Sequence, residues 1–315
     1  MIPTIDEATV ARILTPAVTR DLMRSTLRAR AGGAAHGPTR AVLQLSQGWF
    51  ATMPATVALD DLRGLGAKLV TAFPKNVGDG LPTHQAIVAM FDPGTGAPIA
   101  LVAGETITER RTAAVSLVAT ERLAQRPRGT LAVLGAGAQA HAHLDAFLAA
   151  GLVERLQLWS PRFERAEALA AKARASGLAA VVVAGDPAAA VHGADVIVTA
   201  TAASTPLFEA CDVADGAHLN AVGSCVPSRR ELPAALVAEA NVYVDSLDGA
   251  WREAGDLILA AHDLGHARVR VCAELGTMLS DPERSDPVAR VTIFESLGLG
   301  IEDVACAAYV LAQLG

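Results

Sequence analysis

Positive charge is in deficit. Against 33 aspartates and glutamates stand 26 lysines and arginines in 315 residues, a formal net charge of −7, which argues against a nucleic-acid partner. Cysteine is scarce: Cys211, Cys225, Cys272 and Cys306 lie far apart and form no C-x-x-C. That spacing signals neither a zinc site nor a disulfide framework, and it suits a reducing, cytoplasmic compartment. No uninterrupted apolar run reaches the ~20 residues of a membrane span. The opening stretch "MIPTIDEATVARIL" carries Asp6, Glu7 and Arg12 where a secretory signal needs an apolar segment. His262 and His266 have a spacing that can bind metal on a helix, but no glutamate follows the first histidine. With Asp263 and a glycine beside them they read as a solvated helix end, and no metal is expected.

What is present is core material. Half of the residues (51%) are hydrophobic and 19% are charged, a balance that leaves little case for disorder. The length suggests two domains or one large α/β unit. Residues 128–245 alternate strand and helix: "RGTLAVLGAGAQAHAHLDAFLAA", then "VERLQLWSPRFERAEALAAKARA", then a strand, a short helix from Pro187, a strand at 195–200, "GAHLNAVGS" and "ANVYVDSL". This is the pattern of a doubly wound parallel sheet with helices on both faces. The flanks differ. Residues 38–105 hold several β-like runs, two of them joined by "DPGTG", a hairpin turn. Residues 5–30 read as helical with Asp21 as N-cap, residues 105–126 as a long helix, and "FESLGLGIEDVACAAYVLAQL" as a C-terminal helix that packs on the N-terminal domain. The expected organisation is a Rossmann-type domain, residues 121–294, inserted in an α+β domain made of residues 1–120 plus 295–315.

"LAVLGAGAQA" places Gly135, Gly137 and Ala140 as G-x-G-x-x-A between an apolar strand and a helix, the context in which that pattern binds a dinucleotide. The first glycine permits the tight turn, the second lets backbone approach a pyrophosphate, and Ala140 lets helix and strand pack closely. The helix N-terminus then offers amide hydrogens and its positive dipole end to the phosphates. The next strand ends "LQLWSPRFER", with Ser160 where an acid would bind the adenosine ribose of NAD, followed by Arg162 and Arg165. This favours NADP (NADPH), with NAD as the alternative.

Several segments together carry a resemblance: "LPTHQAIVAMFDPGTGAPIALVAGETITERRTAAVSLVAT", "GAGAQA", "GADVIVTAT", "NAVGS", "REL", "VDS" and "FESLGLGIEDVA". In this order, over about residues 38–310, the chain resembles the ornithine cyclodeaminase/mu-crystallin family. The resemblance implies a homodimer paired through sheets of the non-nucleotide domain, and a small imino-acid or amino-acid substrate. It places the substrate carboxylate on Arg40, Lys68 and Arg111, and Thr83 and His84 near cofactor and substrate. It sets Ala136, Ala138 and Gln139 at the phosphate turn, Thr201, Ala202 and Val222 around the nicotinamide ribose, and Ser296 close to the nicotinamide amide. Apart from the family, Lys68 stands in the apolar run "LGAKLVTAF" and needs a partner. Arg110 and Arg111 near a helix start oppose its dipole, a conflict that a bound anion would relieve.

Two departures set the expected chemistry. Family cyclodeaminases carry a glutamate two residues before the methionine of "MP", where this chain has Ala51. They also carry a catalytic aspartate after "NAVG-x", where it has Cys225. With "TERRTAAVS" and "EAGDLILA", the resemblance runs to the ketimine-reductase branch. The expected activity is NAD(P)H-dependent reduction of a small cyclic ketimine carboxylate, such as pyrroline-2-carboxylate to proline. The alternatives are an NAD-dependent ornithine cyclodeaminase and a non-catalytic NADPH-dependent small-ligand binder. Cys225 reads as a small, weakly polar lining residue unless Arg229 or Arg230 approaches and activates its thiol.

Overall fold

The computed structural model describes residues 2–315. They form two compact units, one of residues 2–114 and 298–315 and the other of residues 115–297.

In the first unit, β1 (Thr4–Ile5), α1 (Glu7–Ile13) and α2 (Pro16–Ala31) precede β2 (Ala35–His36), β3 (Ala41–Gln44), β4 (Trp49–Leu59), β5 (Leu62–Ala72), β6 (His84–Phe91) and β7 (Pro98–Ala103). The strands make one sheet in the order β1-β7-β6-β5-β4-β2, with β3 also on β4. All its pairings are antiparallel except that of β1 with β7. β4 and β5 alternate buried and less buried residues over most of their length, the period of a half-buried strand. Their inward face packs under α2 and the C-terminal helix, Gly300–Ala312. The β6–β7 turn is held by Asp92, whose Oδ1 accepts from Gly94 N and Thr95 N.

The expected single N-terminal helix is two helices. Their N-caps are Asp6, which accepts from Thr9 N at 2.8 Å, and Thr15, which precedes Pro16. Asp21 lies inside α2 and pairs with Arg20 instead of capping. Proline at the first helical position explains the break, because it starts a helix well and cannot continue one. "FES" is likewise no part of the last helix. Phe294 and Glu295 end a strand, and Gly298, at φ +83°, separates strand from helix.

α3 (Glu105–Leu123) runs from the first unit into the second. The second unit then alternates: β8 (Gly129–Leu134), α4 (Ala138–Ala149), β9 (Val153–Trp159), α5 (Phe163–Ala175), β10 (Val181–Val183), α6 (Pro187–Val191), β11 (Val196–Thr199), β12 (His218–Ala221), α7 (Ala234–Ala238), β13 (Ala240–Val244), α8 (Leu247–Glu253), α9 (Gly255–Leu264), β14 (Val271–Glu274), α10 (Leu275–Ser280) and β15 (Val291–Glu295). The sheet order is β10-β9-β8-β11-β12-β15-β13-β14, and every pairing is parallel. The central strands are buried along their length, as a sheet covered on both faces requires. This is a Rossmann-type doubly wound sheet. The chain winds outward from β8 and returns to β11, so the switch point lies between those two strands.

Candidate active site

Strand alternation puts Lys68 on the inward face of β5, beside Val70 and Ala72 and opposite Met53 of β4. It is 2% exposed. Its Nζ donates to Asp303 Oδ1 at 2.8 Å, lies 2.8 Å from Oδ2, and reaches Thr108 Oγ1 at 3.5 Å. Arg111 Nη1 donates to Glu302 Oε2 at 2.7 Å, and Nε lies 3.4 Å from Asp303 Oδ1. Arg40 Nη2 donates to Gly298 O at 3.2 Å. Gly298 has no side chain to occupy the place of the Arg111 guanidinium, which lies where a Cβ would go. Glu302 and Asp303 stand in the first turn of the C-terminal helix, where the helix dipole favours acids. Burial pushes the Lys68 ammonium down to about 8 against the pull of Asp303, and the charges of Arg111 and Arg40 add to the depression. His84 is held below the ordinary histidine range by its surroundings and then by Lys68, and its Nδ1 lies 3.2 Å from Thr83 Oγ1.

Arg40, Lys68 and Arg111 are therefore within electrostatic reach of one another, with the buried carboxylates of Glu302 and Asp303 beside Lys68 and Arg111. The conflict between Arg111 and its helix dipole is met by the protein's own Glu302 and Asp303. Arg110 caps α1, with Nη1 bonded to Ala11 O and Leu14 O. Neither acid was singled out in the sequence. The signal for Asp303 was the unexplained lysine in an apolar run, but nothing local says which acid, 235 residues away, answers it.

In the second unit the turn after β8 has the backbone that its glycines allow. Gly135 has φ +117°, and a Cβ there would collide with Ala200 O. Gly137 is the N-cap of α4, and no atom lies within 4 Å of the place its Cβ would take. Ala136 and Gly137 lead into Ala138 and Gln139, which open α4 with no side-chain cap on its amides. Ala140 is fully buried against the sheet. An open, uncapped helix start beside a bare glycine fits a pyrophosphate. Ser160 follows β9 and its Oγ accepts from Arg162 N at 3.3 Å; Arg162 and Arg165 are exposed at the start of α5 and, among the described residues, pair with no carboxylate. Thr201 and Ala202 follow β11, Val222 follows β12 and donates its N–H to Thr199 O, and Ser296 follows β15. The Ser296 hydroxyl is buried without a hydrogen-bond partner, which suits a polar ligand group.

Cys225 is half-buried against the apolar core of this unit. The Arg230 guanidinium is engaged at 2.5 Å by Asp263. A set of buried acids was not foreseen. Burial pushes Glu231 up to about 7 and Asp256 to about 6, and Glu295 is held well above the ordinary carboxylate range, by burial and then by Asp256, Glu231, Asp245 and Cys225. Among the described residues no group of three or more His, Cys, Asp or Glu is arranged to hold a metal ion, and no helix is long and apolar enough to cross a membrane.

Sheet order, glycine turn and uncapped helix define the second unit as a Rossmann-type nucleotide-binding fold. The chain belongs to the ornithine cyclodeaminase/mu-crystallin family, whose model matches residues 4–314. It is 37% identical over 275 residues to the ketimine reductase mu-crystallin of Mus musculus, covering 87% of this chain and 83% of that one. It is also 37% identical to a Delta(1)-pyrroline-2-carboxylate reductase of Bacillus cereus, over 80% of this chain and 78% of that one. Among solved structures it is similar to the Thermococcus litoralis Delta(1)-pyrroline-2-carboxylate reductase in complex with NADH and L-proline. There the TM-score is 0.92 and the identity 26%, with 99% of this chain and 97% of that one covered.

Proposed function

We propose that this protein is an NAD(P)H-dependent reductase of small cyclic ketimine carboxylates, with pyrroline-2-carboxylate to proline as the leading reaction. The observation that carries the reading is the gathering of three cations, the buried Lys68 and Arg111 with the half-buried Arg40, within electrostatic reach of one another. Such a set suits a substrate carboxylate. A guanidinium holds a carboxylate by parallel hydrogen bonds and so fixes which face of the C=N bond is presented. A bound reduced nicotinamide supplies the hydride to the imine carbon. The proton for nitrogen comes from the Lys68 ammonium, whose value of about 8 suits a donor working near neutrality; solvent then returns the proton to Lys68.

The rival cyclodeaminase chemistry must oxidise an amine, trap the imine with a second nitrogen and expel ammonia. It calls for a group that repeatedly takes and returns protons. Ala51 and Cys225 stand where the family's cyclodeaminases have acids, and an imine reductase does without them.

NADPH is the preferred cofactor in this reading, because Ser160 leaves room for a 2′-phosphate and Arg162 and Arg165 supply its charge partners. Removing Arg162 is expected to weaken NADPH binding by about 1.5–3 kcal/mol, the worth of a hydrogen bond to a charged group, and to leave NADH nearly unaffected. Titration of the Arg162→Ala variant with both cofactors checks this, and an unmutated enzyme that prefers NADH contradicts it. The working form is a homodimer: Val42 and Leu43 on β3, Ile87 on β6 and Ile99 on β7 are each at least 40% exposed, an apolar sheet surface suited to a second copy. A cytoplasmic setting suits the four unpaired cysteines. The reductase reading is tested by following NADPH and NADH oxidation with a panel of cyclic and linear imino acids. Turnover of a cyclic ketimine carboxylate, and not of its amide, is the expected result; no oxidation with any imine would favour a binding protein.

A further inference from the structure

One side chain ties together the loops that follow β11 and β12. Glu231 is fully buried. Its Oε1 accepts from Thr201 N at 2.7 Å and from Thr201 Oγ1 at 2.6 Å, and its Oε2 accepts from Gly223 N at 2.9 Å. A Cβ on Gly223 would lie 2.5 Å from Glu231 Oε2, so that position must be bare for the carboxylate to reach both loops. Glu231 is itself fixed. Its N–H and that of Leu232 donate to Asp256 Oδ1 at 2.8 and 2.7 Å, and its carbonyl accepts from Leu207 N at 2.8 Å.

The sheet does not need this carboxylate. β11 and β12 pair in register from Val196–His218 to Thr199–Ala221 without it, and a buried charge costs several kcal/mol to desolvate. Its bonds instead stiffen backbone at the carboxyl ends of the strands, where a doubly wound sheet binds its ligand. The turn after β8 suits the pyrophosphate, and the end of β9 lies on the adenosine side. β11 and β12 lie across the switch point from β9, so their loops belong to the nicotinamide half.

We propose that Glu231 is a positioning residue for the nicotinamide half of the cofactor, fixing the loops at Thr201 and at Val222–Gly223 as one body so that the ring is presented in a single orientation. This rests on the reductase reading above. Thr201 N and Gly223 N can only donate, and an ionised carboxylate accepts their bonds more strongly than a protonated one. Burial chiefly, with the charge of Asp256 on α9, pushes Glu231 up to about 7, and the Thr201 hydrogen bonds oppose it. Other charges stand around it: Arg230 acts on Asp256, and Glu295 at the end of β15 feels the charges of Asp256, Glu231, Asp245 and Cys225. The lock therefore weakens as pH falls through about 7.

The test compares the full chain with its Glu231→Gln variant by titration with NADPH and with 2′,5′-ADP, which lacks the nicotinamide half; NADH and ADP-ribose serve as the second pair. The variant is expected to bind NADPH about ten-fold more weakly, the size of one lost charged hydrogen bond, and 2′,5′-ADP as the unmutated chain does. The ratio of the two affinities should fall below pH 7 in the unmutated chain and stay flat in the variant. With pyrroline-2-carboxylate, kcat should fall at least ten-fold while KM for the imino acid holds. Equal loss of both ligands, or loss of neither, overturns the proposal. Thr201→Val, which removes the hydroxyl's bond to Glu231 Oε1 and the one it accepts from Ala203 N but no charge, should give the same pattern at smaller size and decides the matter should Glu231→Gln not fold. Failure of the reductase reading looks different: the unmutated chain then reduces no imine, whatever the contrast between the ligands.

Discussion

At the scale of single residues, the buried pairs on the C-terminal helix decide how the cation cluster behaves. Lys68→Met or Arg111→Met leaves an acid buried beside a missing partner, which costs about 3–5 kcal/mol. Turnover should be lost in either variant while NADPH still binds the folded fraction; calorimetric melting together with cofactor titration separates the two effects, and normal kinetics in either variant would show the site misplaced. The pH dependence follows from Lys68. Its folded value lies below the ordinary lysine value, at about 8, and a substrate carboxylate prefers the ammonium. Binding is therefore full below about 8 and is lost as pH rises through it, with KM for the imino acid climbing up to about ten-fold per unit above that point. Removing the counter-charge with Asp303→Asn should move the onset to lower pH; an unmoved onset in steady-state pH profiles would assign the titration to another group.

At the scale of the element, the turn between β8 and α4 separates folding from binding within three residues. A side chain at Gly135 meets Ala200 O at a φ of +117°, whereas one at Gly137 meets only open space. Gly135→Ala should thus damage the fold itself. Gly137→Ala should melt within about 1 kcal/mol of the unmutated chain, the scale of a glycine substitution at compatible geometry, yet lose cofactor affinity because its methyl stands where the pyrophosphate would lie. Thermal melts with and without NADPH distinguish them, and equal cofactor stabilisation in Gly137→Ala would contradict the placement of the phosphates. This turn was legible in the sequence because its whole logic is local: apolar strand, two glycines, small residue, helix. So was the β6–β7 hairpin, whose Asp92 caps its own turn. The break at Thr15–Pro16 was also local but was hidden by continuous helical periodicity across it. What could not be read are the long-range acids. Nothing in "RREL" marks Glu231 as buried; its donors come from Gly223, eight residues before it, and from Thr201, thirty residues before it on another loop. Asp303 sits beside Lys68 only because the C-terminal helix returns to the first sheet.

At the scale of the whole molecule, each of the two units carries a chemical feature of its own. The first has the buried Lys68 and Arg111 with Arg40 beside them; the second has the parallel sheet order, the glycine turn and the buried Ser296 hydroxyl. In the reductase reading, Ala51 and Cys225 are the side chains that set this chain apart from a cyclodeaminase. A thiol is a weaker hydrogen-bond partner than a carboxylate, and reduction of an imine does not ask for more. The most direct measurement gives the purified chain, in parallel, pyrroline-2-carboxylate with NADPH and ornithine with NAD, and quantifies proline and ammonia in both. The account predicts proline with one NADPH consumed per imine in the first reaction and no ammonia in the second. Rapid ammonia release from ornithine, with the imine left unreduced, would contradict it.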